Sequence, residues 1–207
     1  MAGLRAKQKA DRNRRILEAA TWLFRDVGYD SARIEDIAER AEVSVGTLYN
    51  YYQNKGDILL AAVTMEVEEV LDAGRRIVAN PPATVAAALQ ALIEQYYDHS
   101  LVYLSKEMWR VAMALSIQQP DSPFSRRYTE LDRRLCGQVS SLVQTLQRRG
   151  AVRADVDAAA VGEMFFNNLN LMFIEFAKDE AMPLEALKAQ VERQNRPLSG
   201  LIADTGT

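Results

Sequence analysis

Apolar residues recur at helical spacing along nearly the whole chain, and no segment alternates with period two between hairpin turns. That pattern predicts an all-α fold. Six prolines and ten glycines among 207 residues are too few to punctuate many short strands. The first stripe is Ile16, Leu17, Ala20, Leu23, Phe24 and Val27, and Gly28 follows where a left-handed helix end is wanted. Ile34, Ile37, Ala38 and Ala41 then repeat over about two turns. Ser44 caps another short helix carrying Leu48 and Tyr52, and Asn54 caps a longer one, with Asp57 near its positive end. The longer helix runs to about residue 79, where Pro81-Pro82 must interrupt it.

The remainder also reads as helical, over residues 84–98, 100–117 and 124–149. Asp155 or Asp157 opens a further helix to about Lys178, and Met182-Pro183 starts a last one of about ten residues. Residues 197–207 read as a loose tail.

Hydrophobic residues make up 48% and charged residues 26%, enough for a sizeable core and too apolar for a disordered chain. The single Cys136 forms no internal disulfide, and with the single His99 it leaves no zinc cluster. No metal and no cofactor are expected. The longest uncharged run, residues 77–93, is broken by Asn80-Pro81-Pro82, so no membrane span is expected. The basic, polar N-terminus lacks the apolar segment of a secretory signal. These features predict a cytoplasmic protein.

Net charge is −3, but it is unevenly spread. Residues 1–15 hold Arg5, Lys7, Lys9, Arg12, Arg14 and Arg15 against Asp11 alone, whereas residues 61–207 are net acidic. A basic end that meets an anion and an acidic body that does not would give this distribution, and so would a solvated, frayed terminus.

The segments 34–41 and 45–52 are too short to be stable alone and make sense as a helix-turn-helix packed on the first helix. With Leu48 taken as inward, Tyr52 and Val45 lie within about 60° of it, while Gly46 and Asn50 lie almost opposite. The outward face is small, polar and uncharged. Gly46 costs roughly 1 kcal/mol in a helix relative to alanine, which makes sense if another molecule approaches closely. A DNA major groove accepts one helix in this way. Thr47 and Asn50 can meet base edges. Tyr49 and Tyr51 can reach phosphate oxygens with their hydroxyls, Tyr49 serving otherwise in packing, and Lys55 can pair with a phosphate electrostatically.

The ordered set Leu23-Phe24-Arg25-Asp26-Val27-Gly28-Tyr29, Ile37-Ala38-Glu39-Arg40-Ala41, Val43 through Tyr52 and Asn54-Lys55 closely resembles the DNA-binding domain of TetR-family transcriptional regulators. The likeness covers about residues 10–60. It implies an all-helical homodimer, with a three-helix DNA-binding head and a larger ligand-sensing body whose small-molecule effector usually releases operator DNA. It also implies DNA contacts at Arg33, Ser44, Val45, Gly46, Thr47, Tyr49, Asn50, Tyr51 and Lys55. Val45 lies inward by helix geometry, although the matching family position can touch bases.

This chain departs from the pattern in places. Ala32-Arg33 replaces the usual Thr/Ser pair, so that Ser31 can shift the cap or Arg33 can supply the phosphate contact by charge. Glu42 replaces the turn glycine, Glu35 stands where the family is often basic, Tyr52 replaces phenylalanine, and Gly56 replaces an acidic residue.

The division expected is 1–55 for the basic arm and head and 56–207 for the effector-binding and dimerisation body, connected by the helix at 55–79. Residues 96–117 and 161–176 are dense in aromatics and methionine. Most of these belong to the core. Tyr96, Tyr103, Met108, Trp109, Met113, Phe165, Asn168 and Met172 are the candidates for lining an effector pocket. The helix near 158–178 is apolar on nearly all sides, so it must bury two faces. With the helix near 183–193 it predicts a dimer bundle, as the resemblance also implies. Asn167, Asn168 and Asn170 either orient a ligand or fix register. No motif of an enzyme's nucleophile, dinucleotide or phosphate loop is present. The reading is a ligand-responsive repressor of a near-palindromic operator. The alternative is a helical DNA-binding or interaction module without a ligand switch.

Overall fold

The computed structural model describes residues 2–204. Among these it contains α1 (Ala2–Asp26), α2 (Ile34–Arg40), α3 (Val45–Tyr49), α4 (Lys55–Ala79), α5 (Val85–His99), α6 (Lys106–Gln118), α7 (Pro123–Arg148), α8 (Ala158–Lys178) and α9 (Leu184–Ile202). No helix among the described residues is long and apolar enough to cross a membrane. The chain forms two compact units, Met1–Met65 with Tyr103–Tyr128, and Glu66–Val102 with Thr129–Thr207. Both α4 and α7 contribute to each unit.

The first unit is built on the stripe read from the sequence. Ile16, Ala20 and Phe24 of α1, Ile37 of α2, Leu48 of α3 and Ile58 and Leu59 of α4 are all without exposed surface, and α2 packs on both α1 and α3. Local signals set the boundaries. Gly28 takes a positive φ of 84° and ends α1, and Glu42 in the turn between α2 and α3 takes φ 53°. The left-handed residue expected there is thus a glutamate, held at a cost of roughly 1–2 kcal/mol. Its carboxylate lies 3.4 Å from Arg15 of α1. α6 belongs to this unit, where Leu104, Met108 and Ala112 are fully buried. It starts at Lys106 rather than near Ser100, because the Ser105 side chain accepts the Met108 N–H at 3.2 Å.

In the second unit α5 and α9 pack along one another, and α8 packs on α9. Gly162 of α8 lies so close to α7 that a Cβ would overlap the Ser140 backbone. α8 is capped by Asp157, whose carboxylate accepts the Ala159 and Ala160 N–H groups at 3.1 Å. The largest difference from expectation is at the C-terminus. The last helix does not stop after about ten residues, and 197–204 is not a loose tail. α9 runs through Pro197 to Ile202, and Val152 and Ala203 form an isolated antiparallel bridge. Proline removes one hydrogen bond, but Pro197 and Arg193, four residues before it, face solvent, where water satisfies the freed carbonyl. The buried faces of Asn195, Ser199 and Ile202 hold the last turns in place. Residues 205–207 of the expected tail lie outside the described residues.

Candidate DNA interface

The Ser44 side chain accepts the Thr47 N–H at 3.0 Å and lies 2.8 Å from the Thr47 hydroxyl, which starts α3 and fixes its first turn. Leu48 is fully buried beneath it. Ser44, Gly46, Tyr49 and Asn50 are exposed, and Val45 and Thr47 are half-buried. The Asn50 backbone closes α3, and its side chain makes no hydrogen bond among the described residues. A Cβ on Gly46 would meet nothing nearer than Ser44 Oγ at 4.0 Å. Packing within the unit therefore does not require a glycine there. The open surface it leaves suits the approach of an outside molecule.

The supporting residues are engaged more fully than their sequence positions suggest. Lys55 Nζ donates to the carbonyls of Tyr29 at 2.8 Å and Asp30 at 2.9 Å, and sits 4.9 Å from the centre of the Tyr29 ring. Two of its three donors are thus committed to the loop between α1 and α2. From the other side of that loop, the Glu107 carboxylate of α6 accepts the Tyr29 N–H at 3.0 Å. The loop that aims the helix-turn-helix is therefore held at one residue by α4 and α6 together. The Tyr51 hydroxyl donates to the Lys9 carbonyl at 3.3 Å, and that of Tyr52 donates to Asn13 Oδ1 at 2.7 Å. Burial pushes the Tyr52 phenol up to about 12. Arg33 precedes α2 without capping it and pairs with Glu35 at 3.4 Å.

The basic arm proves to be helical as described, since α1 begins at Ala2. Its charge is partly consumed within the protein. Arg14 pairs with Asp11 and Glu18 at 2.8 Å each, and Arg15 pairs with Asp11 and Glu42. The hydrogen bond from Arg14 holds the Asp11 carboxyl below its ordinary range. Lys7 and Lys9 are exposed and have no carboxylate partner within 4.0 Å among the described residues. Lys9 also lies beside Tyr51 at the end of α3. Charge counting marked the arm as a whole and could not separate these two lysines from the paired arginines.

The pocket candidates fall in both units. Tyr103, Met108, Trp109 and Met113 belong to the first, with Met108 fully buried and Trp109 nearly so. Tyr96, Phe165, Asn168 and Met172 belong to the second. The Tyr96 hydroxyl donates to Gln138 Oε1 at 2.7 Å, and burial raises its pKa. Phe165 is fully closed off. Asn168 Nδ2 donates to Asn195 Oδ1 at 2.9 Å, joining α8 to α9 within one chain, and Met172 Sδ lies 3.5 Å from Gln194 Nε2. One further cluster has no local signature along the chain. His99 Nδ1 lies 2.6 Å from the buried Glu66 and Nε2 lies 3.2 Å from Glu69, which ties the end of α5 to α4.

Comparison with known proteins matches this geometry. The family described as "Bacterial regulatory proteins, tetR family" matches residues 16–62, from the core of α1 into α4. The HTH-type transcriptional repressor KstR of Rhodococcus jostii is 37% identical over 79 residues, which is 38% of this chain and 35% of that protein. The HTH-type transcriptional regulator BetI of Escherichia coli is 28% identical over 152 residues, 72% of this chain and 77% of that protein. Among solved structures, a TetR-family regulator of Mesorhizobium loti has a TM-score of 0.76 at 20% identity, covering 94% of this chain and 98% of that one. Two other proteins of the same fold were solved with ligands. Thermus thermophilus FadR holds lauroyl-CoA (TM-score 0.64, 22% identity, 90% and 92% covered). A transcriptional regulator of Saccharomonospora viridis holds choline (TM-score 0.69, 20% identity, 94% and 98% covered).

Proposed function

This chain belongs to the TetR family of transcriptional regulators, and from that premise we propose that it is a repressor that binds a near-palindromic operator as a homodimer and is released by a small effector. The observation that carries the reading is the surface of α3, uncharged, polar and open at Gly46 over a fully buried Leu48. Thr47 and Asn50 read base edges in the major groove, and Tyr49 and the cap at Ser44 meet the phosphate backbone. Tyr51 and Lys55 act mainly by holding α3 against α1 and against the loop before α2. Lys7 and Lys9 add phosphate contacts by charge.

The DNA-binding function occupies residues 1–55, and effector binding and dimerisation occupy 56–207. The dimer forms through the helices at 158–178 and 183–193. Met164 and Leu171 support this assignment, because they are seven residues apart on one face of α8 and each is more than half exposed. Phe173 points elsewhere, stacked 6.0 Å from the Tyr97 ring within its own unit.

Selection of bound sites from random DNA by the full-length protein, at stated salt, tests the reading. A two-fold symmetric site with half-sites about one helical turn apart is expected. Binding without sequence preference overturns it.

A further inference from the structure

Within the second unit a groove of about 730 Å³ runs between the C-terminal halves of α4 and α7. It shares no lining residue with the pocket expected from the sequence. At 100° per residue Arg134, Gln138, Ser141, Thr145 and Arg148 fall within about 40° of one line along α7, so the groove follows that helix for about 21 Å. Two hydrogen bonds tie its walls together. Gln138 Nε2 donates to the Leu71 carbonyl at 2.9 Å, and Arg149 Nη2 donates to the Ala79 carbonyl at 2.8 Å. Arg75 of α4 stands midway between these ties.

The charge in the groove has one sign. Arg75, Arg134 and Arg148 line it, and no carboxylate does so among the described residues. The three cations differ in what holds them. Arg134 is engaged by both carboxylate oxygens of Glu68, which makes it a brace between α7 and α4. Arg75 pairs with Asp72, but both side chains are about two-thirds exposed (65% and 69%), and such a pair is weak enough to be exchanged. Arg148 has no carboxylate within 4.0 Å among the described residues. Its Nη2 donates to Thr145 Oγ1 at 2.9 Å, which leaves most of its donors unused and fixes one edge of the guanidinium beside the groove. The hydroxyls of Ser141 and Thr145 donate to carbonyls of their own helix at 2.7 and 2.8 Å. The donors that remain for a guest are therefore those of Arg75 and Arg148, and planar guanidinium groups suit the paired oxygens of a carboxylate or phosphate.

The rest of the lining is apolar, with Leu71, Val78 and Ala79 on α4. Opposite them α7 carries Gly137 in its interior, where glycine is the least favourable residue after proline. Packing does not ask for it, because a Cβ there would meet nothing within 4 Å. Gly162, by contrast, is required by the Ser140 backbone. The missing side chain at 137 keeps the groove open.

We propose that this groove is the effector site and that the effector is an organic oxyanion, its carboxylate or phosphate head held by Arg75 and Arg148 and its apolar body seated on Leu71, Val78 and Gly137. The proposal rests on the reading of the chain as an effector-switched regulator, and it names the class of effector.

Calorimetric titration of the full-length protein at about pH 8 and low salt tests it with three probes that share an eight-carbon chain. Octanoate and octyl phosphate carry the two heads, and octan-1-ol is uncharged. At least one anion should bind about tenfold or more tightly than the alcohol, and the tighter of the two identifies the head. The double variant Arg75→Gln, Arg148→Gln should lose that preference, whereas Arg196→Gln, likewise an exposed arginine but on α9, should keep it. Gly137→Leu fills the groove without displacing protein atoms, so anion affinity should fall at least about tenfold while Tm holds or rises. Thermal unfolding of each variant shows whether it is folded. Equal affinity for the anions and the alcohol, an unchanged preference in the folded double variant, an equal loss in Arg196→Gln, or no anion binding at millimolar concentration overturns the proposal. Operator binding measured in parallel separates the two readings. Specific DNA binding without anion binding sinks only this site, and anion binding without any DNA site preference sinks only the repressor.

Discussion

Removing the charge at Asp132 should make the ligand-free protein more stable above neutral pH and leave it nearly unchanged in mild acid. Burial raises this carboxyl from 3.8 to about 6. That difference corresponds to about 3 kcal/mol between its protonation states. The folded pKa of this acid lies above the unfolded one, so the native state holds the proton more tightly. Stability therefore falls as pH rises from about 4 to about 6, and the whole penalty is present above that range. Asp132→Asn deletes the penalty but leaves a buried amide that itself costs about 1–2 kcal/mol. The net gain at about pH 8 should be about 1–2 kcal/mol, or a few degrees in Tm for a chain of this length. At about pH 5 native Asp132 is mostly protonated, and the gain should vanish. Thermal unfolding of both proteins at the two pH values, without ligand, makes the comparison. A variant less stable than wild type at about pH 8, or an equal shift at both pH values, would refute the reasoning, because it would mean that the carboxyl has a partner in the folded state.

Three further outcomes are expected. Lys7→Ala combined with Lys9→Ala should lower the salt slope of operator binding by about two units, whereas Arg14→Ala, already paired with Asp11 and Glu18, should leave it nearly unchanged; filter binding across a salt series distinguishes them. Asn50→Ala should relax preference at particular base pairs by about 1–3 kcal/mol of discrimination, read by repeating site selection, and uniform weakening across all sequences would contradict base readout. Leu171→Glu, on the exposed face of α8, should yield a folded monomer by sedimentation, while Phe173→Glu, in the core beside Tyr97 and Phe176, should unfold the protein. A dimeric Leu171→Glu would remove that face from the interface.

The helix-turn-helix was legible in the sequence because its determinants act within a few residues of one another. Ser44 caps Thr47, Asn54 accepts the Asp57 N–H at 3.0 Å, Asp157 caps α8, and Gly28 and Gly150 take positive φ at helix ends. Each is a bond or backbone state spanning at most three or four positions, so the spacing of residue types carries it. The stripe of α1 and the inward direction of Leu48 followed from helical periodicity for the same reason.

Periodicity gives the direction of a side chain but not what it meets, and the tertiary structure decided that. Lys55 finds its carbonyls 25 and 26 residues away, Glu107 reaches Tyr29 across 78 positions, and Asn168 finds Asn195 on another helix. Local propensity also misjudged the C-terminus. Pro197 is a breaker by its own chemistry, yet burial of Asn195, Ser199 and Ile202 outweighs the one hydrogen bond that it removes. Asp132 shows the same limit most sharply. In the sequence it is one acid among 28. Only the assembled fold sets it half-buried on the inner line of α7 and raises its pKa, because desolvation is a property of the packed helices and not of any segment of the chain.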